Sequence, residues 1–95
     1  MRLTKKQIKA IKSNFGKTFG CGEVFLFGSR VDDSKRGGDI DLYIVTENRE
    51  ALAEKKVKFL VGLKREIGTQ KIDLVLNYDP NRLIEINARK EGVKL

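Results

Sequence analysis

The chain has 95 residues, 40% of them hydrophobic, and a formal net charge of +7. That size predicts one domain over residues 1–95 with a single modest core, too small for a second lobe. Histidine is absent and Cys21 is the only cysteine, so Ser-His-Asp and Cys-His hydrolase chemistry and ordinary zinc sites are closed to this chain alone, and acid, base or metal chemistry must rest on carboxylates, lysines or tyrosines.

In chain order, Thr4 and Gln7 have the spacing of a capping box, and Ile8, Ile11, Phe15 and Phe19 recur at helical spacing, which predicts a helix over 5–19. Gly20 and Gly22 end it, with Cys21 a small spacer between them. Residues 23–27, Glu-Val-Phe-Leu-Phe, predict a short buried strand. Residues 28–38 are polar and bracketed by glycines, a loop with room for a helical turn just after Ser29. Residues 39–45 predict a second strand, after which Thr46 or Asn48 can cap a helix reaching about residue 67 through Leu52, Phe59, Leu60, Leu63 and Ile67, with Gly68 beyond its end. Residues 71–77 predict a third strand. Asp79-Pro80 then predicts an N-cap and first turn for a last helix over 80–90, with Leu83, Ile84 and Ile86 inward and residues 93–95 as a short edge strand.

The connection between the first two strands lacks the apolar residues of a crossover helix, so those strands are predicted antiparallel and the sheet mixed. The fold class is therefore α/β (α+β), a small mixed sheet with helices on one face. No apolar run is long enough to span a membrane, and the basic start of the chain lacks the apolar segment of a signal peptide, which together predict a cytoplasmic protein.

Side-chain alternation carries the chemistry. Ile40, Leu42 and Ile44 share one face of the second strand, and Ile72, Leu74 and Leu76 one face of the third. If these strands are neighbours with their apolar sides on a common core, Asp39, Asp41 and Asp73 collect on the other side. Clustered carboxylates repel, and a hard divalent cation with oxygen preference, magnesium or manganese, relieves that. Gly28-Ser29 follows a buried strand directly, where a glycine allows close approach of a ligand, and Arg30, Lys35 and Arg36 in the same loop can neutralise phosphates. Lys55, Lys56, Lys58 and Lys64 are read as a solvated helix face, and Tyr43 as a packing residue.

Phe27-Gly28-Ser29-Arg30, Gly38-Asp39-Ile40-Asp41-Leu42 and Ile72-Asp73-Leu74, in that order and strand context, resemble the polymerase-β-type nucleotidyltransferase superfamily, and most closely its minimal branch. The loop departs from the usual pattern at Asp32, Asp33 and Gly38. The resemblance implies a polymerase-β-like nucleotidyltransferase fold. It implies that Gly28 and Ser29 bind the β and γ phosphates of ATP or another nucleoside triphosphate, with Arg30, Lys35 and Arg36 beside them. It also implies that Asp39, Asp41 and Asp73 are the catalytic and metal-binding acids, with Asp73 helping to deprotonate the attacking hydroxyl. The expected reaction is transfer of a nucleoside monophosphate with release of pyrophosphate. The resemblance further implies a helical HEPN-type partner, for which such proteins act as antitoxins, or self-association. The alternative is a nucleotidyltransferase-fold binding module that neutralises or regulates a partner with little catalysis. A nucleic-acid-binding role rests on net charge alone.

Overall fold

The computed structural model describes residues 3–31, 39–68 and 70–95. Thr4 Oγ1 accepts the Gln7 N–H at 3.0 Å while Gln7 Oε1 accepts the Thr4 N–H at 2.9 Å. This reciprocal cap satisfies two amides that the first turn leaves without partners, and α1 (Lys5–Thr18) starts from it. Strand β1 (Glu23–Phe27) follows and runs into a 3-10 turn at Gly28–Val31. Then come β2 (Ile40–Val45), α2 (Leu52–Ile67), β3 (Ile72–Leu76), α3 (Leu83–Glu91) and β4 (Val93–Lys94). No helix among the described residues is long and apolar enough to cross a membrane.

The strands lie in the order β3-β2-β1-β4. β1 pairs antiparallel with β2 and with β4, whereas β2 and β3 are parallel. The sequence predicts this mixed sheet, because α2 is the only segment between strands that is long and amphipathic enough for a parallel crossover. Asn77 fixes the exit ends of the parallel pair. Its side chain accepts the Thr46 N–H at 3.1 Å and donates to the Thr46 carbonyl at 3.2 Å, and its own N–H donates to the Ile44 carbonyl.

One sheet face carries Leu26, Ile40, Leu42, Ile44, Leu74 and Leu76, packed with Ala10, Ile11, Phe19, Phe59 and Leu63 of the α1–α2 layer. Each such aliphatic side chain contributes roughly 1.5–3 kcal/mol when fully buried. α1 and α2 approach closely at Gly62, where a Cβ would overlap Asn14 Oδ1. Asn14 is buried there and donates to the Ala10 carbonyl at 2.8 Å and to Glu66 Oε2.

Two helix starts differ from their sequence prediction. Neither Thr46 nor Asn48 caps α2: Thr46 Oγ1 accepts the Asn48 N–H, Asn48 Oδ1 accepts the Glu50 N–H, and Ala51, with φ of 48°, precedes the helix. These short side chains close turns on their own backbone, which competes with capping. Likewise Asp79 Oδ1 accepts the Asn81 N–H at 2.9 Å in a local turn, and α3 begins only at Leu83.

The inward face of α3 is also corrected. Leu83, Ile84 and Ile86 are exposed, and Glu85 and Ala88 are the buried positions. α1 and α2 cover one face of the sheet, as expected of helices there, but α3 lies on the opposite face over Tyr43 and Phe25. Tyr43 Oη donates to Glu85 Oε1 at 2.9 Å, and a Cβ on Gly92 would come within 3.2 Å of Phe25 Cβ. Glu85 wins the inward position because its other oxygen accepts the Asp79 N–H and Arg82 Nε, both at 2.7 Å. A carboxylate with donors on both oxygens can be buried where an unpaired one could not.

Burial by itself would raise the Glu85 pKa, yet the Asp79 N–H, Arg82 and Tyr43 together hold it below its ordinary 4.5. The folded state therefore binds this proton less readily than the unfolded chain. The resulting stabilisation is fully present above pH 4.5 and is lost as pH falls through the lower folded value. Glu85→Ala is expected to lower unfolding free energy by on the order of 2–4 kcal/mol in urea denaturation, since it strands the Tyr43 hydroxyl and the Asp79 amide. Glu85→Gln should remove part of the acid-side loss of stability. An Ala variant as stable as the parent would mean that this network does not hold α3.

Candidate active site

β1 and β2 converge at their chemically important ends. Phe27, the last residue of β1, is level with Asp41 of β2. The chain then turns at Gly28, whose φ is +76° and whose Cβ, if it had one, would overlap Asp41 Oδ2. Both the left-handed backbone and the close approach require glycine. Because Ile40 and Leu42 are committed to the core, the β alternation directs Asp41 to the opposite face. In the parallel ladder of β2 and β3, Asp41 is level with Asp73, and Ile72 and Leu74 are likewise committed to the core. The two carboxylates are thus neighbours on one face and share a hydrogen bond.

Asp39 stands just before β2, where the Ile40 N–H donates to the Lys71 carbonyl at 3.1 Å. That pairing brings the Lys71 side chain level with it, and Lys71 Nζ lies 3.4 Å from Asp39 Oδ2. Asp41 and Asp73 are thus level with each other, while Asp39, whose charge is also felt at Asp41, is placed beside Lys71. Among the described residues no three His, Cys, Asp or Glu side chains form a group ready to hold a metal ion.

Burial, the charge of Asp73, the hydrogen bond to Asp73 and the charge of Asp39, in that order, push the Asp41 pKa from 3.8 up to about 6, against the pull of Lys71. The pair thus holds a proton well above the usual carboxylate range. The Asp41–Asp73 site is short of positive charge, and its donors are all oxygens, which fits magnesium or manganese.

A cavity of about 430 Å³ opens beside this pair, with Asp41 and Asp73 in its wall and Lys56 and Leu60 of α2 and Ile84 of α3 around it. Lys56 is half-buried, not part of the solvated face read from the sequence. Its position one helical turn before Leu60, on the stripe that continues to Leu63 and Ile67, is the signal that could have found it. Lys71 was also missed, and nothing local marks it; its role follows from strand register.

Of the other expected residues, Arg30 is half-buried on the 3-10 turn beside Gly28. The side chain of Ser29, and Lys35 and Arg36 entirely, lie outside the described residues, as do Asp32, Asp33 and Gly38. Tyr43 packs under α3, as a packing residue should.

A protein-family model described as "Polymerase beta, Nucleotidyltransferase" matches residues 8–95, nearly the whole chain. No curated protein matches it.

The raised pKa has a stability consequence of opposite sign to that of Glu85. Between pH 3.8 and about 6 the folded chain retains a proton on Asp41 that the unfolded chain has lost, so Asp41 costs stability increasingly as pH rises through that window. Asp41→Asn should therefore stabilise the protein at pH 7. Partial exposure and solvent screening reduce the gain to about 1 kcal/mol, which corresponds to roughly 4–8 °C in melting temperature for a domain of this size. The gain should vanish below about pH 4, where the acid is neutral in both states. Equal melting temperatures at pH 7 would show that the paired acids carry no electrostatic strain.

Proposed function

The chain belongs to the polymerase-β nucleotidyltransferase family, and from that premise we propose that it transfers a nucleoside monophosphate, most simply AMP from ATP, to a hydroxyl on a protein acceptor. Nucleotidyl transfer in general follows from the family. The observation that carries the specific reading is the Asp41–Asp73 pair set against Gly28, one carboxylate retaining its proton up to about pH 6. Two acids held together at such electrostatic cost, with the Asp41 carboxylate packed directly on a glycine, make sense where a cation and a phosphate complete the site.

In this reading Asp41 and Asp73 would hold the divalent cation, with Asp39, now paired with Lys71, as a further ligand. When bound, that cation would withdraw charge from the phosphates and make the acceptor hydroxyl easier to deprotonate. Gly28 lets the triphosphate approach the backbone, with Ser29, Arg30, Lys35 and Arg36 as its further contacts. Asp73, the more exposed acid, receives the proton of the acceptor hydroxyl. The acceptor oxygen attacks the α-phosphorus. The bond from that phosphorus to the bridging oxygen breaks, and its electron pair leaves with pyrophosphate. The partner is read as a helical HEPN-type protein for which this chain is the antitoxin. Self-association is the other way in which the substrate surface would be completed.

Incubation with α-labelled ATP, magnesium and the protein encoded beside this chain should label that neighbour. Asp41→Asn and Asp73→Asn are each expected to reduce labelling by on the order of 10³-fold or more, since cation and proton acceptor act as a unit. Gly28→Ala should cost roughly 10²-fold by displacing Asp41, with the neighbour still bound. Labelling that survives in Asp41→Asn would refute these roles. Undiminished partner neutralisation by an unlabelling Asp41→Asn variant would instead identify a binding module.

A further inference from the structure

The cavity beside the acids is bounded on one side by main chain. β3 is an outer strand of the sheet, and among the described residues β2 is its only strand partner. The Ile40 N–H donates to the Lys71 carbonyl, and the Asn77 N–H donates to the Ile44 carbonyl. Odd-numbered residues of β3 thus turn their amides and carbonyls toward β2, and by the alternation of a parallel ladder Ile72, Leu74 and Leu76 turn theirs outward. At Leu76 this outward carbonyl accepts Arg82 Nη2 at 3.0 Å, which closes the edge at that end. Ile72 and Leu74 both line the cavity. The other outer strand, β4, is only 2 residues long and carries Lys94, which pairs with Glu23 at 3.2 Å. That edge is blunted in the usual way, whereas among the described residues no further strand pairs with β3.

We propose that the open edge of β3 is the acceptor-docking site, and that it takes an extended, hydroxyl-bearing peptide segment with acidic flanks as an added strand. The proposal rests on the nucleotidyl-transfer reading and adds to it how the acceptor is held. A strand paired to Ile72 and Leu74 places one of its residues level with Asp73. Its side chain then stands on the same face, with the two Cβ atoms about 5 Å apart. A hydroxyl there lies beside the acid assigned to receive its proton. Main-chain pairing supplies register, and the cavity supplies room for the side chain. Lys56 in the cavity wall and the net charge of +7 favour acidic residues on either side of the hydroxyl.

The test uses the ¹⁵N-labelled chain without nucleotide, and the peptide acetyl-Val-Glu-Ser-Glu-Val-amide as probe, whose two acids, next to the serine, face the Lys56 side when the serine faces Asp73. Binding should shift the Ile72 and Leu74 amide resonances and slow their hydrogen exchange by about fivefold or more. Lys56→Glu should weaken the peptide about tenfold, and methylation of alternate peptide nitrogens should abolish binding. No binding at millimolar peptide, or equal binding of the methylated peptide, overturns the proposal. So does protection of these amides that needs no peptide and grows with protein concentration, which would identify a second copy as the occupant. With α-labelled ATP and magnesium added, a peptide that docks but is never labelled removes the transfer reading and leaves the docking site standing. A peptide that is labelled without protecting Ile72 and Leu74 does the reverse.

Discussion

Two carboxylates level with each other on adjacent strands repel, and the rest of this molecule is organised to keep them there. Asp41 and Asp73 cannot separate without breaking the β2–β3 register, because Ile40, Leu42, Ile72 and Leu74 are committed to the core. The apolar burial on one sheet face is thus what holds the acids together on the other. The electrostatic cost is visible in the Asp41 pKa, pushed up to about 6.

The same face contains a second ionisable group whose situation is reversed. Glu85 is fully buried but surrounded by donors, so its ionised form is the stable one. Tyr43, 2 residues beyond Asp41 on the same strand face, joins the two regions by donating to Glu85. One end of the face is therefore closed by α3 and fully satisfied, and the other is left open and electrostatically strained. Satisfied and strained carboxylates are thus kept at opposite ends of one face.

The open end is flanked by the outer edge of β3. Outer strands are usually protected by charge, brevity or a covering element, and β4 shows the first two, whereas β3, among the described residues, has β2 as its only strand partner. Lys56 and Leu60 on α2 and Ile84 on α3 form walls on either side of that edge. The exposure of Leu83, Ile84 and Ile86 follows from the same choice, since Glu85 occupies the inward position they would otherwise take.

The strands, the first helix with its Thr4–Gln7 box, the mixed sheet and the likeness to the polymerase-β family were legible in the sequence, because capping, period-two alternation and the Gly-Ser and Asp-x-Asp spacings are local signals. The acids' common face was legible too, since alternation fixes it once the apolar side is known. Tertiary structure decided the rest. The start and inward face of α3 depended on partners for Glu85 that are distant in sequence or formed by a turn, and helical periodicity treats a carboxylate as outward by default. Lys56 was marked by its place on the α2 stripe, but the pairing of Lys71 with Asp39 and the levelling of Asp41 with Asp73 depend on which strand lies beside which, and no local pattern contains that.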